Sequence, residues 1–155
     1  MTLKVGDKAP DFTLNSDEDK DISLKDFLGR RVVLYFYPRA STPGCTIEAC
    51  DFRELRAKFF KAGAVVLGVS ADPVKALQNF KAKQKLNFPL LSDPTHKTIK
   101  AYGVWRTKKF MGRSFKGIVR STFLIGPAGK IEEIWDEVRV KGHAAETLTR
   151  LSSAK

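Results

Sequence analysis

Val32-Val33-Leu34-Tyr35-Phe36-Tyr37 is a continuous apolar run that stops at Pro38. A short loop, Arg39-Ala40-Ser41-Thr42, then leads into Pro43-Gly44-Cys45-Thr46-Ile47-Glu48-Ala49-Cys50. An apolar run without polar alternation reads as a central strand buried on both faces. Beyond the Pro-Gly turn, Phe52, Leu55, Phe59 and Ala62 fall at i, i+3, i+7 and i+10. That stripe predicts a helix over about 45–61, stopped by Gly63. Ala64-Val65-Val66-Leu67-Gly68-Val69-Ser70 is a second buried strand. The strand–helix–strand order predicts an α/β fold, with the Pro-Gly turn at the carboxyl end of a central strand, where such sheets carry their sites.

The remaining elements extend outward from this unit. Residues 12–14 and 21–23 flank an acidic stretch and predict a short hairpin. Ser23 can cap a turn of helix closed by Gly29. Asp72-Pro73 reads as N-cap and first residue of a helix whose core face carries Leu77 and Phe80. A short strand is expected over 89–92 and a helix over about 95–102, ended by Gly103. Residues 104–117 form a basic loop or a long hairpin arm. A strand over 118–125, a Gly-Pro-Ala-Gly turn and a strand over 130–135 read as an antiparallel hairpin. The final helix covers about 143–151, with Leu148 and Leu151 inward.

The chain has 155 residues, 43% of them hydrophobic and eleven of them Phe, enough for one domain over 1–155 with a real core. No apolar run approaches the roughly 18 residues of a membrane span. The opening Met1-Thr2-Leu3-Lys4-Val5-Gly6-Asp7 is too polar for a secretory signal, so the expected location is cytoplasmic. The net charge is +11 and uneven: 11–26 carries six acids against Lys20 and Lys25, and 106–120 carries six bases and no acid. Such a stretch can serve an anionic partner. Without an aromatic-basic RNA signature or finger spacing, it reads instead as a solvated basic loop, and no nucleic-acid partner is expected.

Cys45 and Cys50 are the only cysteines. Two are too few for a disulfide scaffold, and a cytosolic disulfide is more often transient and catalytic than structural. With only His96 and His143 besides, both distant in sequence, no metal site is expected. Cys45 falls in the first helical turn, where free N–H groups and the helix dipole favour a thiolate, and where a nearby cation would favour it further. A free cysteine is otherwise most often a small core residue, but core cysteines seldom follow Pro-Gly at a strand-to-helix turn. Cys50 is less direct. On an ideal helix its Cα lies about 8.7 Å from that of Cys45, whereas a disulfide spans roughly 4.4–6.8 Å. Either Cys50 is a core residue or the helix start melts during a reaction cycle; the spacing leaves both open.

The stretch Tyr35-Phe36-Tyr37-Pro38-Arg39-Ala40-Ser41-Thr42-Pro43-Gly44-Cys45-Thr46-Ile47-Glu48-Ala49-Cys50-Asp51-Phe52 resembles a peroxiredoxin active site. It is most similar to the bacterioferritin-comigratory-protein, or peroxiredoxin Q, group. Val5-Gly6-Asp7-Lys8-Ala9-Pro10-Asp11-Phe12, Tyr102-Gly103-Val104-Trp105 and Gly117-Ile118-Val119-Arg120-Ser121-Thr122-Phe123-Leu124-Ile125 resemble further family blocks, so the likeness runs over nearly the whole chain. It implies a thioredoxin-like fold, a central mixed sheet flanked by helices with an N-terminal β-hairpin. It also implies thiol-dependent reduction of hydroperoxides without a cofactor. Carried over by position, Cys45 matches the peroxidatic cysteine, Cys50 the resolving one, Thr42 and Pro43 the Pro-x-x-x-Thr-x-x-Cys pattern, and Arg120 the distant arginine. Pro38 starts the active-site loop, and Pro38, Pro43 and Gly44 are its substrate-binding positions. Arg39-Ala40-Ser41 departs from the Lys-Asp-Asn of many members. The implied reductant is thioredoxin or a similar dithiol donor, and the implied state is a monomer.

These residue types suit the chemistry. A thiolate attacks one peroxide oxygen while the other leaves as an oxyanion. Thr42 Oγ and the backbone N–H groups near Cys45 can hold the two oxygens, and Arg120 offers positive charge to both. Each residue also has a plainer reading. Thr42 could serve only as an N-cap, and Arg120 as a strand-edge charge. Glu48 could orient an arginine or merely complement the helix dipole, and Trp105 reads better as packing than as pocket wall. Two other functions share the residues. A thiol-disulfide oxidoreductase or relay would usually carry Cys-x-x-Cys, which is absent here. A basic nucleic-acid-binding redox sensor would show salt-dependent affinity.

Overall fold

The structure, a computed structural model, describes residues 3–153; Met1 and Thr2 of the polar opening lie outside the described residues. Strands β1 (Thr13–Ser16) and β2 (Asp21–Ser23) form the N-terminal hairpin. A 3₁₀ turn (Leu24–Phe27) follows, its entry closed by the Ser23 N–H donating to Asp26 at 2.9 Å. Next come β3 (Arg31–Phe36), α1 (Pro43–Lys61), β4 (Ala64–Ser70), α2 (Val74–Gln84), β5 (Leu90–Ser92) and α3 (Lys97–Ala101). The chain continues through β6 (Trp105–Phe110), β7 (Arg113–Ile118), β8 (Ser121–Ile125), β9 (Ile131–Trp135) and α4 (His143–Ser152).

Seven strands form one mixed sheet in the order β2-β1-β5-β4-β3-β8-β9. Strands β3, β4 and β5 are parallel, and the outer pairings are antiparallel. Side chains alternate across β3 because successive residues of a strand point to opposite faces. Val33, Tyr35 and Tyr37 pack with Phe52 and Phe59 of α1, Leu77 and Phe80 of α2, and Leu151 of α4. Val32, Leu34 and Phe36 pack on the other side with Ile99, Tyr102 and Val104. The apolar run is therefore continuous because both of its faces are covered.

Several expectations need correction. Ala62 is exposed at the C-cap of α1 and leaves the buried stripe. Asp72 does not cap α2. Its carboxylate instead accepts from Ala40 N–H and Ser70 Oγ, both at 2.8 Å, and Pro73 takes the cap position. Helix α3 is shorter than 95–102 because His96 sits in the left-handed region, at φ 64. The 118–125 strand is broken. Ile118 pairs with Trp105 in a separate β6–β7 hairpin, which settles the choice for 104–117, while Val119 N–H bonds Val104 and Arg120 C=O accepts from Val138 N–H, each at 2.8 Å. Arg120 thereby stands free of ladder pairing, directly before β8.

Candidate active site

The sheet brings the distant residues together. Phe36 at the end of β3 pairs with Ser121 at the start of β8, so Arg120 emerges beside the exit of β3. That exit runs through Pro38 and the 39–42 loop into α1. Ala40 N–H, held by the Asp72 carboxylate, pins the loop, and Thr42 Oγ1 donates to the Arg39 carbonyl at 2.8 Å. Thr42 is the N-cap by backbone conformation, yet its side chain makes no capping bond. Its hydroxyl instead closes the loop and leaves oxygen lone pairs to accept from a ligand. Pro43 occupies the first helical position, where its missing N–H costs nothing. The first-turn amides, Gly44 and Cys45 among them, lack i−4 partners by helix geometry.

Cys45 is 1% exposed, and its sulfur lies 3.3 Å from Arg120 Nη2. The other end of the same guanidinium, Nη1, donates to Glu48 Oε1 at 2.7 Å. One planar cation thus bridges a buried sulfur and a buried carboxylate, a geometry suited to arginine's fork. Gly44 leaves room for it: a Cβ there would meet Arg120 Nη2 at 3.2 Å. Of the two readings of Glu48, the structure supports the one that orients Arg120. Arg120 is itself no strand-edge charge, and its side chain is largely buried.

Trp105 stacks on His96 with ring centroids 4.1 Å apart and packs against the opposite core layer from Cys45, as a packing residue would. Cys50 lies further along α1, half-buried, its Sγ donating to Gln84 Oε1 at 3.7 Å. Both cysteines are free thiols on one unbroken helix. Gln84 and Asp72 carry no signal in the sequence for their roles near the site. Among the described residues no cluster of His, Cys, Asp and Glu could hold a metal ion, and no helix is long and apolar enough to cross a membrane.

Burial pushes the Glu48 carboxyl up to about 7, and Arg120 only partly opposes this. Its second oxygen is buried without a hydrogen-bond partner among the described residues, consistent with that cost. Between the ordinary carboxylate range and about pH 7, folded Glu48 keeps a proton that the unfolded chain releases. Its contribution to stability is therefore full at low pH and is lost as pH rises through about 7. Glu48→Gln removes this exchange. Denaturant unfolding of reduced protein from pH 5 to 8 should show the wild type losing on the order of 3 kcal/mol relative to the variant. A pH-independent difference would contradict the assignment.

The AhpC/TSA family model matches residues 5–134. The chain is 46% identical to peroxiredoxin Bcp of Bacillus subtilis over 151 residues, covering 97% of this chain and 96% of that protein. A cysteine-to-serine mutant of Xylella fastidiosa PrxQ superposes with a TM-score of 0.94 at 39% identity, covering 99% and 98% of the two chains. The bacterioferritin comigratory protein of Xanthomonas campestris, studied for alkyl peroxide reduction, superposes with a TM-score of 0.88 at 42% identity, covering 92% and 90%. The thioredoxin-like architecture, the arginine-bridged cysteine at the start of α1 and these likenesses agree, and the chain belongs to the AhpC/TSA family as a peroxiredoxin of the Bcp and PrxQ type.

Proposed function

We propose that this protein is a thiol-dependent peroxidase acting on hydrogen peroxide and organic hydroperoxides, with Cys45 as the attacking residue. The observation that carries this reading is the Arg120 guanidinium 3.3 Å from a sulfur in the first turn of α1. The Cys45 thiolate attacks the nearer peroxide oxygen and the O–O bond breaks. The other oxygen leaves as alkoxide or hydroxide and takes a proton, giving alcohol or water, while sulfur becomes sulfenic acid. Thr42 Oγ1 accepts from the peroxide, and the first-turn amides with Arg120 meet the developing oxyanion. Pro38 and Pro43 shape the loop, and Gly44 admits the guanidinium.

Cys50 then attacks the sulfenic sulfur, forming the Cys45–Cys50 disulfide and releasing water. On an intact helix the Cα separation of about 8.7 Å forbids that bond, so the turn at 43–49 unwinds once per cycle. A dithiol donor of the thioredoxin type returns the enzyme to the reduced state, its two thiols being oxidised as the disulfide is reduced. The protein works as a monomer in the cytoplasm.

Cys50→Ser tests the resolving role. Stopped-flow oxidation of reduced protein by hydrogen peroxide should be unchanged. Thioredoxin-linked turnover should fall at least about tenfold, because the sulfenic acid must await an external thiol. Mass analysis of oxidised wild type should find the Cys45–Cys50 disulfide. Full turnover by the variant, or no such disulfide, would refute the assignment.

A further inference from the structure

The turn of α1 that carries Cys50 is tied to the end of α2. Cys50 Sγ donates to Gln84 Oε1 at 3.7 Å, Arg53 Nη1 donates to the Gln84 carbonyl, and Asn87 Nδ2 donates to the Arg53 carbonyl at 3.3 Å. The chain makes this possible by ending α2 at Gln84. Lys85 turns left-handed at φ 53, and the Lys85 and Leu86 N–H groups both go back to the Lys81 carbonyl, so the later carbonyls of the last turn are left for other donors. Arg53 takes one of them. The contrast with Cys45 is direct. Cys45 is held by the Arg120 guanidinium at its sulfur, the atom that peroxide oxidises, so that hold is altered by the reaction itself. The hold on Cys50 is a neutral hydrogen bond that peroxide attack does not touch.

We infer that Gln84 is a positioning residue that latches Cys50 against α2. Unwinding is thereby confined to the Cys45 side of the helix, and release of the Cys50 thiol gates disulfide formation. This rests on the proposed resolving role of Cys50. After oxidation the 43–49 turn leaves its place under Arg120, while Cys50 stays docked on α2 as a fixed target. The bond closes when the Cys50 thiol leaves the Gln84 oxygen, gives up its proton and attacks the sulfenic sulfur. The S–S bond forms, the S–O bond breaks and water departs. Every cycle therefore breaks the Cys50–Gln84 hydrogen bond, and its strength sets how long the sulfenic acid persists. A longer-lived sulfenic acid is more open to over-oxidation by a second peroxide.

Two variants at one position make the test. Gln84→Leu removes the acceptor but keeps the bulk and the backbone carbonyl used by Arg53. Gln84→Glu keeps an acceptor and makes it a stronger, charged one. Reduced protein is mixed with hydrogen peroxide, quenched at intervals, alkylated and analysed by mass for sulfenic, disulfide and sulfinic forms. In Gln84→Leu, disulfide formation should run about three- to tenfold faster than in wild type, the scale of one hydrogen bond, with less sulfinic acid at high peroxide. In Gln84→Glu it should run slower by a similar factor, with more sulfinic acid. The first oxidation of Cys45 should be unchanged in both, since Gln84 touches none of the groups around that sulfur. General damage to the helix would move both variants the same way, and that result overturns the latch, as do unaltered rates. If wild type forms no Cys45–Cys50 disulfide at all, the resolving role itself fails and the latch fails with it. If the disulfide forms normally and only the Gln84 variants are silent, the latch alone is lost.

Discussion

Cys45→Ser should reduce peroxide consumption to the uncatalysed background while leaving the fold intact. The nucleophile in this chemistry is a thiolate; a serine hydroxyl remains protonated at neutral pH and is a poor nucleophile towards a peroxide oxygen. The replacement is nearly isosteric. At 1% exposure it places a hydroxyl where a thiol stood, at a cost of about 1–2 kcal/mol if the hydroxyl finds no partner, and Arg120 Nη2 is available to offer one. Circular dichroism and the unfolding midpoint should therefore stay close to wild type, and a collapse of activity cannot be ascribed to misfolding. The measurement is peroxide loss in a thioredoxin-coupled assay, repeated with Cys50→Ser for comparison. The two variants should differ in kind. Cys50→Ser still consumes one equivalent of peroxide per protein in a single turnover, whereas Cys45→Ser consumes none. A full equivalent consumed by Cys45→Ser would remove this residue from the attacking role.

How far the sequence reaches can be judged residue by residue. The run 32–37 is legible because a strand covered on both faces must be apolar throughout, and Val33 and Tyr35 meet one layer while Val32 and Leu34 meet the other. Cys45 is legible because a proline and a glycine leave a local imprint on the chain, and the turn they make fixes the helix start. Arg120 lies 75 residues away, and nothing local marks it. Hydropathy runs a strand straight through it, since Ile118 and Phe123-Leu124-Ile125 are apolar and buried on either side, yet they belong to different sheets. Only the family resemblance selects it beforehand, and only the pairing of Phe36 with Ser121 explains why it arrives. Glu48 reads in the sequence as an acid near the helix start, where dipole complement and arginine partner look alike; the helix in fact begins at Pro43, which puts Glu48 beyond the first turn. The two readings separate when burial is known, because a carboxylate that merely complements a dipole would sit in solvent, and Glu48 is 1% exposed. Asp72 misleads for a related reason. Asp-Pro before a helix is a good capping signal, but the Ala40 amide and the Ser70 hydroxyl compete for the same carboxylate. Gln84 leaves no trace at all, since a glutamine at a helix end has no periodicity or turn chemistry to betray what it touches.

Arg120→Ala should slow the first oxidation of Cys45 by about 100- to 1,000-fold, the usual effect of removing a donor aimed at developing charge. Arg120→Lys should recover only a small part of that. The native side chain reaches Cys45 Sγ with Nη2 at 3.3 Å and Glu48 Oε1 with Nη1 at 2.7 Å, and a single ammonium cannot span both. Lysine would settle on the carboxylate, the group with the stronger localised charge, and leave the sulfur without its cation. The stability of Arg120→Ala should carry a pH signature as well. Breaking a buried pair by removing one partner costs about 3–5 kcal/mol when the other must stay charged. Glu48, however, is already pushed up to about 7, and loss of the Arg120 cation, which opposes burial, pushes it higher. Below that range the carboxyl takes up a proton and escapes most of the penalty; above it the charge must be borne in the core. The variant should therefore be closest to wild type near pH 5–6 and fall progressively behind as pH rises to 8–9, in denaturant unfolding of the reduced protein. Glu48→Gln placed in the Arg120→Ala background should abolish that divergence without restoring the rate of peroxide oxidation. Such an outcome would separate the two duties of the guanidinium: neutralising a buried carboxylate for the fold, and stabilising charge at sulfur for the reaction. An Arg120→Ala enzyme that reacts within tenfold of wild type, or an Arg120→Lys enzyme of full speed, would show that the bridge serves the fold alone.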